Sequence, residues 1–134
     1  MNRRSFLKVL VAGGVTLGLS PLIYGAVVEP NRFEVVKQAI RLPRLGPGLD
    51  GLRVVQISDL HMGPFFTREK LERVVELILA QEPDLVFITG DYLTRGTDYK
   101  QARPGLFEPL GELVRRWPVY SVMGNHDYYC GQTG

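Results

Sequence analysis

The sequence predicts an α/β fold in which parallel strands alternate with helices. After residue 51, three short apolar runs of strand type are separated by two stretches of helical periodicity. The connections between consecutive strands are long, which favours parallel pairing with right-handed crossovers. The composition, 45% hydrophobic and 22% charged, is that of a chain that can bury one core, and 134 residues allow one domain at most.

The three strand-like runs are short and rich in β-branched or large apolar residues. They lie at residues 52–58, 85–89 and 119–123. The middle run is nearly all apolar, which predicts a strand that is covered on both faces. Upstream of the core, residues 33–42 alternate loosely and predict an edge strand. The stretch at 45–51 is dense in Gly and Pro and predicts a turn.

Two stretches between the strands show the spacing of an amphipathic helix. In the first, at 67–81, apolar residues recur along one helix face, and Thr67 is suited to cap the N-terminus. The second is predicted at 106–116, because Pro109 is tolerated only in the first turn of a helix. In sheets of this kind, ligands collect just beyond the carboxyl ends of the strands.

The first 28 residues are interpreted as an export signal and not as part of the fold. Residues 2–8 are basic, and residues 9–28 carry no charge. The adjacent Arg3 and Arg4 resemble the bacterial twin-arginine signal, which implies the twin-arginine export machinery as a partner. The implied location is the outer face of the cytoplasmic membrane, the periplasm or the cell wall. The uncharged run is long enough to cross a bilayer, so membrane contact and retention as an anchor are favoured over cleavage.

The charge distribution argues against a nucleic-acid-binding module. The formal net charge of +2 arises from three basic residues in the leader, since from residue 29 onward 13 Lys and Arg stand against 14 Asp and Glu. The chain has one cysteine, Cys130, so neither an intramolecular disulfide nor a thiolate metal cluster can form.

Each predicted core strand runs into residues that commonly bind metal ions. The first leads to Asp59 and His61, the second to Asp91, and the third to the Gly-Asn-His-Asp run at 124–127. In a parallel sheet these clusters meet at one edge. Extended backbone would point Asp59 and His61 to the same side, where they can hold one cation, and Asp91 could bridge two. Carboxylate, amide and imidazole ligands together suit Mn, Fe or Zn.

Each cluster alone is a weak signal, because polar residues after a strand also form turns and caps. Their occurrence at three successive strand ends is much more specific and indicates a functional site. Gly90 and Gly124 precede the second and third clusters, and they supply the backbone freedom for a sharp turn into the site.

The three clusters resemble the first three signature motifs of the calcineurin-like metallophosphoesterases, and the leader is similar to that of their exported bacterial branch. The resemblance implies a two-sheet sandwich of which residues 52–134 supply the N-terminal βαβαβ portion. It also implies two divalent metal ions as cofactors and a phosphate-ester substrate. Asp59 and His61 would hold the first ion, Asp91 would bridge both, and Asn125 would hold the second.

The same resemblance implies roles for two residues that are not ligands. His126 would stabilise the phosphoryl transition state or protonate the leaving oxygen, and Asp127 would orient His126. The reaction would be in-line attack on phosphorus by a metal-bound hydroxide. Arg95 resembles the phosphate-binding arginine of the protein-phosphatase branch, but a solvated loop residue is the favoured interpretation.

The substrate favoured by the exported branch is a phosphodiester or pyrophosphate, on a lipid or a nucleotide-sugar. The alternatives are a phosphomonoesterase and a non-catalytic, membrane-tethered binding module. His126 favours catalysis, because binding alone does not require it. The later histidine motifs of the family do not occur before Gly134. The chain is therefore expected to be a fragment that lacks the C-terminal half of the domain and is inactive by itself.

Overall fold

The computed structural model describes residues 32–130, so the predicted leader at 1–28 lies outside the described residues. The chain divides into two compact units, residues 1–36 and 37–134, and the helices and strands of the described residues belong to the second. Within the part of the chain that the structure describes, no helix has both the length and the apolar character needed to span a membrane.

Three parallel strands form one sheet in the order β1-β2-β3. Their bounds are Val54–Ile57 for β1, Leu85–Ile88 for β2 and Val119–Ser121 for β3. Ile57 pairs with Ile88, which pairs in turn with Ser121, so the three carboxyl ends lie side by side. The predicted α/β class and the parallel order are confirmed. Each strand is shorter than predicted, because pairing stops where the chain turns out of the sheet.

Two helices connect the strands: α1 is Arg68–Leu79 and α2 is Tyr99–Arg116. They contact each other and contribute to one core. Within these elements, the buried apolar side chains come from α1 (Leu71, Val75, Ile78), α2 (Leu106, Leu110, Leu113) and β2 (Val86, Ile88). The spacing of the α1 residues is the one that the sequence predicted, so the apolar face of this helix is confirmed.

Helix α2 begins earlier than expected. It starts at Tyr99 and not at residue 106, so the prediction that Pro109 lies in the first turn is wrong. Asp98 caps the helix, since its carboxylate accepts a hydrogen bond of 2.8 Å from the backbone N–H of Lys100. Pro104 and Pro109 both lie inside the helix, where each removes one backbone hydrogen bond. Burial of Pro109 and of the leucine face of α2 offsets that loss.

The segment upstream of the sheet also differs from the prediction. Residues 33–42 form no strand, and all of them except Phe33 are exposed. An alternating pattern becomes a strand only where a neighbour supplies hydrogen-bond partners, and the three described strands pair only with one another. The Gly- and Pro-rich stretch does form turns, including a short 3-10 helix at Pro47–Leu49.

One face of the sheet is exposed in the described part of the chain, so the expectation that β2 is covered on both faces is not met. Side chains that point towards the helices belong to the core, whereas Val54, Phe87 and Tyr120 point away and are 45%, 39% and 60% exposed. The rings of Phe87 and Tyr120 lie 5.8 Å apart on this face. The all-apolar run of β2 therefore reflects one buried face and one apolar but exposed face.

Two neighbouring residues of α2 test the packing. In the full-length protein, Leu113→Ala is expected to lower the free energy of unfolding by about 2–5 kcal/mol, because it leaves a cavity at a fully buried position. Val114 is 63% exposed, and Val114→Ala is expected to change that free energy by less than about 1 kcal/mol. Urea denaturation followed by circular dichroism measures both. Equal losses would contradict the assignment of the Leu113 side of α2 to the core.

Candidate metal centre

The segment after β1 carries the first two predicted ligands on a left-handed backbone. The φ angle is 55° at Asp59 and 45° at His61, so the extended backbone expected from the sequence is not found. The side chains nevertheless converge: Nε2 of His61 lies 3.6 Å from an Asp59 carboxylate oxygen. Leu60 and Met62 alternate with them and are buried, so the segment is anchored in the core.

Hydrogen bonds to the loop after β2 hold this segment in place. The backbone N–H groups of Asp59 and His61 donate to the carbonyl oxygens of Gly90 and Asp91, at 3.1 and 2.9 Å. The left-handed conformation costs a non-glycine residue on the order of 1 kcal/mol, and it persists where the surroundings support it. The two loops therefore form one unit at the edge of the sheet.

Asp91 lies between His61 and the segment after β3. One of its carboxylate oxygens is 3.9 Å from Nε2 of His61, and the other accepts a hydrogen bond of 3.0 Å from the backbone N–H of His126. Its own backbone is left-handed, with φ of 53°. Each carboxylate oxygen has two lone pairs, so the bond from His126 leaves both oxygens able to bind a cation.

Two glycines allow the loops after β2 and β3 to touch. A Cβ atom on Gly124 would overlap the carboxylate and the backbone nitrogen of Asp91, and one on Gly90 would lie 2.5 Å from the nitrogen of Gly124. The sequence assigned both glycines to sharp turns. That reason applies at Gly90, where φ is 100°, whereas Gly124 is required because its neighbour leaves no space for a side chain.

The third cluster lies on a short helix that the sequence did not predict, α3 at Asn125–Cys130. Asn125 opens the helix and is exposed. The His126 ring follows it and lies edge-on to the ring of His61, with a centroid distance of 4.7 Å and an interplanar angle of 81°. Nδ1 of His126 is buried, and no described residue forms a hydrogen bond with it.

His61, Asp91 and His126 follow three different strands, yet each offers a ligand atom within 4.8 Å of the others. Asp59 adjoins this group through His61. One or two carboxylates with two imidazoles suit a borderline divalent ion such as Mn, Fe or Zn. The buried Nδ1 of His126 has no hydrogen-bond partner among the described residues, so a ligand bond at this atom would satisfy it. The resemblance kept His126 off the ions, whereas its distance from the other two residues allows it to be a ligand.

In the described part of the chain, the Asp127 side chain forms no hydrogen bond with His126, so the orienting role that the resemblance implied has no direct hydrogen bond behind it. One carboxylate oxygen accepts from the backbone N–H groups of Tyr92 and Leu93, at 2.8 and 3.2 Å, and the other accepts from Gly124 at 2.8 Å. The residue is buried, which strengthens these charge-assisted bonds. Asp127 therefore joins the loop after β2 to the loop after β3.

The sequence did not single out Tyr92, Thr94 or Tyr129, which contact residues of the loops that carry the centre. Burial raises the pKa of the Tyr92 phenol, opposed in part by a hydrogen bond with Ser121, so this side chain stays neutral at ordinary pH. The Thr94 hydroxyl donates to the carbonyl oxygen of His61. The Tyr129 ring lies 5.0 Å below the guanidinium of Arg95, which is exposed as expected of a loop residue. Proximity to the clusters along the chain was the only sequence signal for these three.

Comparisons with known proteins agree with the motif resemblance. A family model described as calcineurin-like phosphoesterase matches residues 52–133. A transmembrane protein with a metallophosphoesterase domain from Danio rerio is 38% identical over 96% of this chain and 28% of its own length. The metallophosphoesterase YkuE of Bacillus subtilis is 33% identical over 96% of this chain and 46% of its own length.

A third relative has a substrate in its name. The UDP-2,3-diacylglucosamine pyrophosphatase LpxG of Chlamydia trachomatis is 31% identical over 90% of this chain and 38% of its own length. This chain therefore spans less than half the length of each of the three relatives.

The contact between the two loops can be tested through Gly124. In the full-length protein, Gly124→Ala is expected to weaken Mn²⁺ binding by roughly 10- to 100-fold, because the added Cβ displaces the Asp91 carboxylate. Gly111→Ala is the matched control, since its Cβ meets only the end of the Arg115 side chain at 3.6 Å. Gly111 lies within α2, and its replacement should leave Mn²⁺ affinity unchanged while raising stability by about 0.5–1 kcal/mol. Calorimetric titration measures the affinities, and unchanged binding by the Gly124 variant would contradict the close approach.

Proposed function

Because the chain belongs to the calcineurin-like phosphoesterase family, we propose that the protein hydrolyses phosphodiester or pyrophosphate bonds with the help of two divalent ions. The observation that carries this proposal is the convergence of His61, Asp91 and His126 within 4.8 Å from three successive strand ends. A non-catalytic binding module would not require the half-buried imidazole of His126 at this place.

In this proposal Asp59 and His61 hold one ion, Asp91 faces both, and Asn125 holds the second. When bound, such a pair of ions stabilises negative charge on the attacking and leaving oxygens and lowers the pKa of water. His126 stabilises the phosphoryl group or donates a proton to the leaving oxygen. Since its Nδ1 is buried, Nε2 is the atom that would exchange a proton with the substrate.

The surroundings of the centre support an amphiphilic substrate. A cleft of about 620 Å³ adjoins the centre. Its lining includes Met62, which follows His61 in the chain, and Thr94, which donates a hydrogen bond to the His61 carbonyl. Its lining includes Phe65, which is 88% exposed, and the cationic Arg95. An apolar ring and a guanidinium side by side suit a ligand with both apolar and anionic parts. Together with the likeness to LpxG, this favours a pyrophosphate or diester on a lipid or nucleotide-sugar.

The function is tested with the full-length protein and two chromogenic esters. Addition of Mn²⁺ to metal-free protein should produce hydrolysis of bis-p-nitrophenyl phosphate, and excess chelator should abolish it. Faster hydrolysis of p-nitrophenyl phosphate would instead identify a phosphomonoesterase. If neither ester is hydrolysed and no Mn²⁺ is bound, the chain belongs to a member of the family without a working metal centre.

Variants of two residues in the loop after β2 distinguish the loss of a metal ligand from the loss of a surface charge. Asp91→Asn is expected to lower kcat by roughly 100-fold or more, because it removes a carboxylate that faces both ions. Arg95→Ala is expected to lower kcat/KM by less than about tenfold, because an exposed loop guanidinium contributes only to substrate binding. Steady-state assays with bis-p-nitrophenyl phosphate measure both. Equal losses of kcat would contradict the bridging assignment of Asp91.

We also propose that Arg3 and Arg4 direct export through the twin-arginine route. The support is the run of sequence at residues 2–8, followed by 20 residues without charge. That route accepts folded proteins, which suits an enzyme that binds its metal ions before export. The active site would then lie outside the cytoplasm, where lipid-linked and nucleotide-linked phosphates of the envelope are accessible.

Replacement of both arginines by lysine is expected to leave the protein in the cytoplasm, because this route reads the paired guanidinium groups and not merely positive charge. The matched control replaces the exposed Arg41 and Arg44 by lysine and should be exported normally. Cell fractionation followed by immunoblotting distinguishes the outcomes. Normal export of the leader variant would indicate an ordinary secretory signal.

A further inference from the structure

The ring of His61 lies at the centre, and its backbone has a conformation that other residues must stabilise. Its φ of 45° lies in the left-handed region, which is unfavourable for a residue with a Cβ. That backbone sets the direction of the Cα–Cβ bond from which the ring projects, so a change of φ would move the ring. A metal ligand must be held to within about 0.5 Å of its productive position, so the peptide groups on both sides of His61 matter for affinity.

The two peptide groups of His61 are held by different residues of the loop after β2. Its N–H donates to the carbonyl oxygen of Asp91 at 2.9 Å. Its carbonyl oxygen accepts from the Thr94 hydroxyl at 2.7 Å, the shorter of the two bonds. Thr94 is itself fixed, since its backbone N–H donates to the carbonyl oxygen of Met62 at 3.0 Å and its own carbonyl accepts from the thiol of Cys130 at 3.4 Å.

We propose that Thr94 is a positioning residue of the metal centre. Its hydroxyl group holds the carbonyl of His61 and so fixes the left-handed conformation that aims the imidazole at the ion shared with Asp59. The proposal rests on the metal centre put forward above and extends it to a residue that makes no contact with the ion. Loss of the hydroxyl leaves a carbonyl unpaired and lets the His61 backbone relax towards ordinary φ values.

Gly63 leaves the space in which the Thr94 side chain sits. A Cβ atom at Gly63 would lie 3.1 Å from Oγ1 and 3.2 Å from Cβ of Thr94, so it would crowd the side chain that bonds to the His61 carbonyl. The nearby Thr97 offers a contrast. Its hydroxyl donates to the carbonyl of Met62 at 3.3 Å, a longer bond to an oxygen that already accepts from Thr94.

The test compares four variants of the full-length protein in metal-free form. Thr94→Val removes the hydroxyl at nearly constant volume, Thr94→Ser retains it, Gly63→Ala displaces it, and Thr97→Val is the control on the same loop. The Mn²⁺ dissociation constant is measured by calorimetry or by electron paramagnetic resonance, and the melting temperature is measured without metal. A purely structural role would lower the melting temperature without a selective effect on Mn²⁺ affinity.

Thr94→Val and Gly63→Ala are expected to weaken Mn²⁺ binding by roughly tenfold, while Thr94→Ser and Thr97→Val stay within about twofold of the unaltered protein. Unchanged affinity in Thr94→Val, or a loss in Thr94→Ser as large as in Thr94→Val, would overturn the proposal. If Thr94→Val does not fold, Gly63→Ala decides by the same criterion. Failure of the unaltered protein to bind Mn²⁺ would refute the metal centre itself, which is a different result.

Discussion

The buried carboxylate of Asp127 joins the two loops on which the candidate metal centre is built. Three backbone N–H groups, two after β2 and one after β3, converge on its oxygens at 2.8 to 3.2 Å. These bonds replace the hydrogen bonds to water that the carboxylate loses on burial, and the two from Tyr92 and Leu93 act across 35 and 34 residues of sequence. Together with the close approach of Gly124 to Asp91, they fix the relative positions of the Asp91 carboxylate and His126.

The centre also depends on residues whose backbone conformation is unfavourable and is stabilised by neighbouring contacts. Four non-glycine residues of the described chain have positive φ, and three of them are Asp59, His61 and Asp91. Such conformations cluster at functional sites and persist only where neighbouring contacts hold them. Here the contacts run between the loops after β1 and β2, which bond to each other through N–H, carbonyl and hydroxyl groups. Hydrogen bonds between the two chain segments thus continue beyond the ends of β1 and β2, and they shape the site.

The sequence predicted the strands, the apolar face of α1 and the meeting of three clusters because these follow from local spacing. Its predictions were wrong where contacts between residues distant in sequence determine the local structure. Pro109 lies in the middle of α2, because burial of the leucine face of the helix outweighs the hydrogen bond that proline removes. The alternating segment at 33–42 is no strand, because no described strand pairs with it.

By itself the sequence determined the α/β class, the family and the meeting of His61, Asp91 and His126, because residues at three successive strand ends of a parallel sheet come together at one edge. The tertiary structure decided how they come together. It turned the expected extended pair Asp59 and His61 into left-handed backbone, and it gave Asp127 to three backbone N–H groups instead of His126. The physical reason is that hydrogen bonds between loops that are distant in sequence set these orientations, and a local pattern of residues carries no record of such partners.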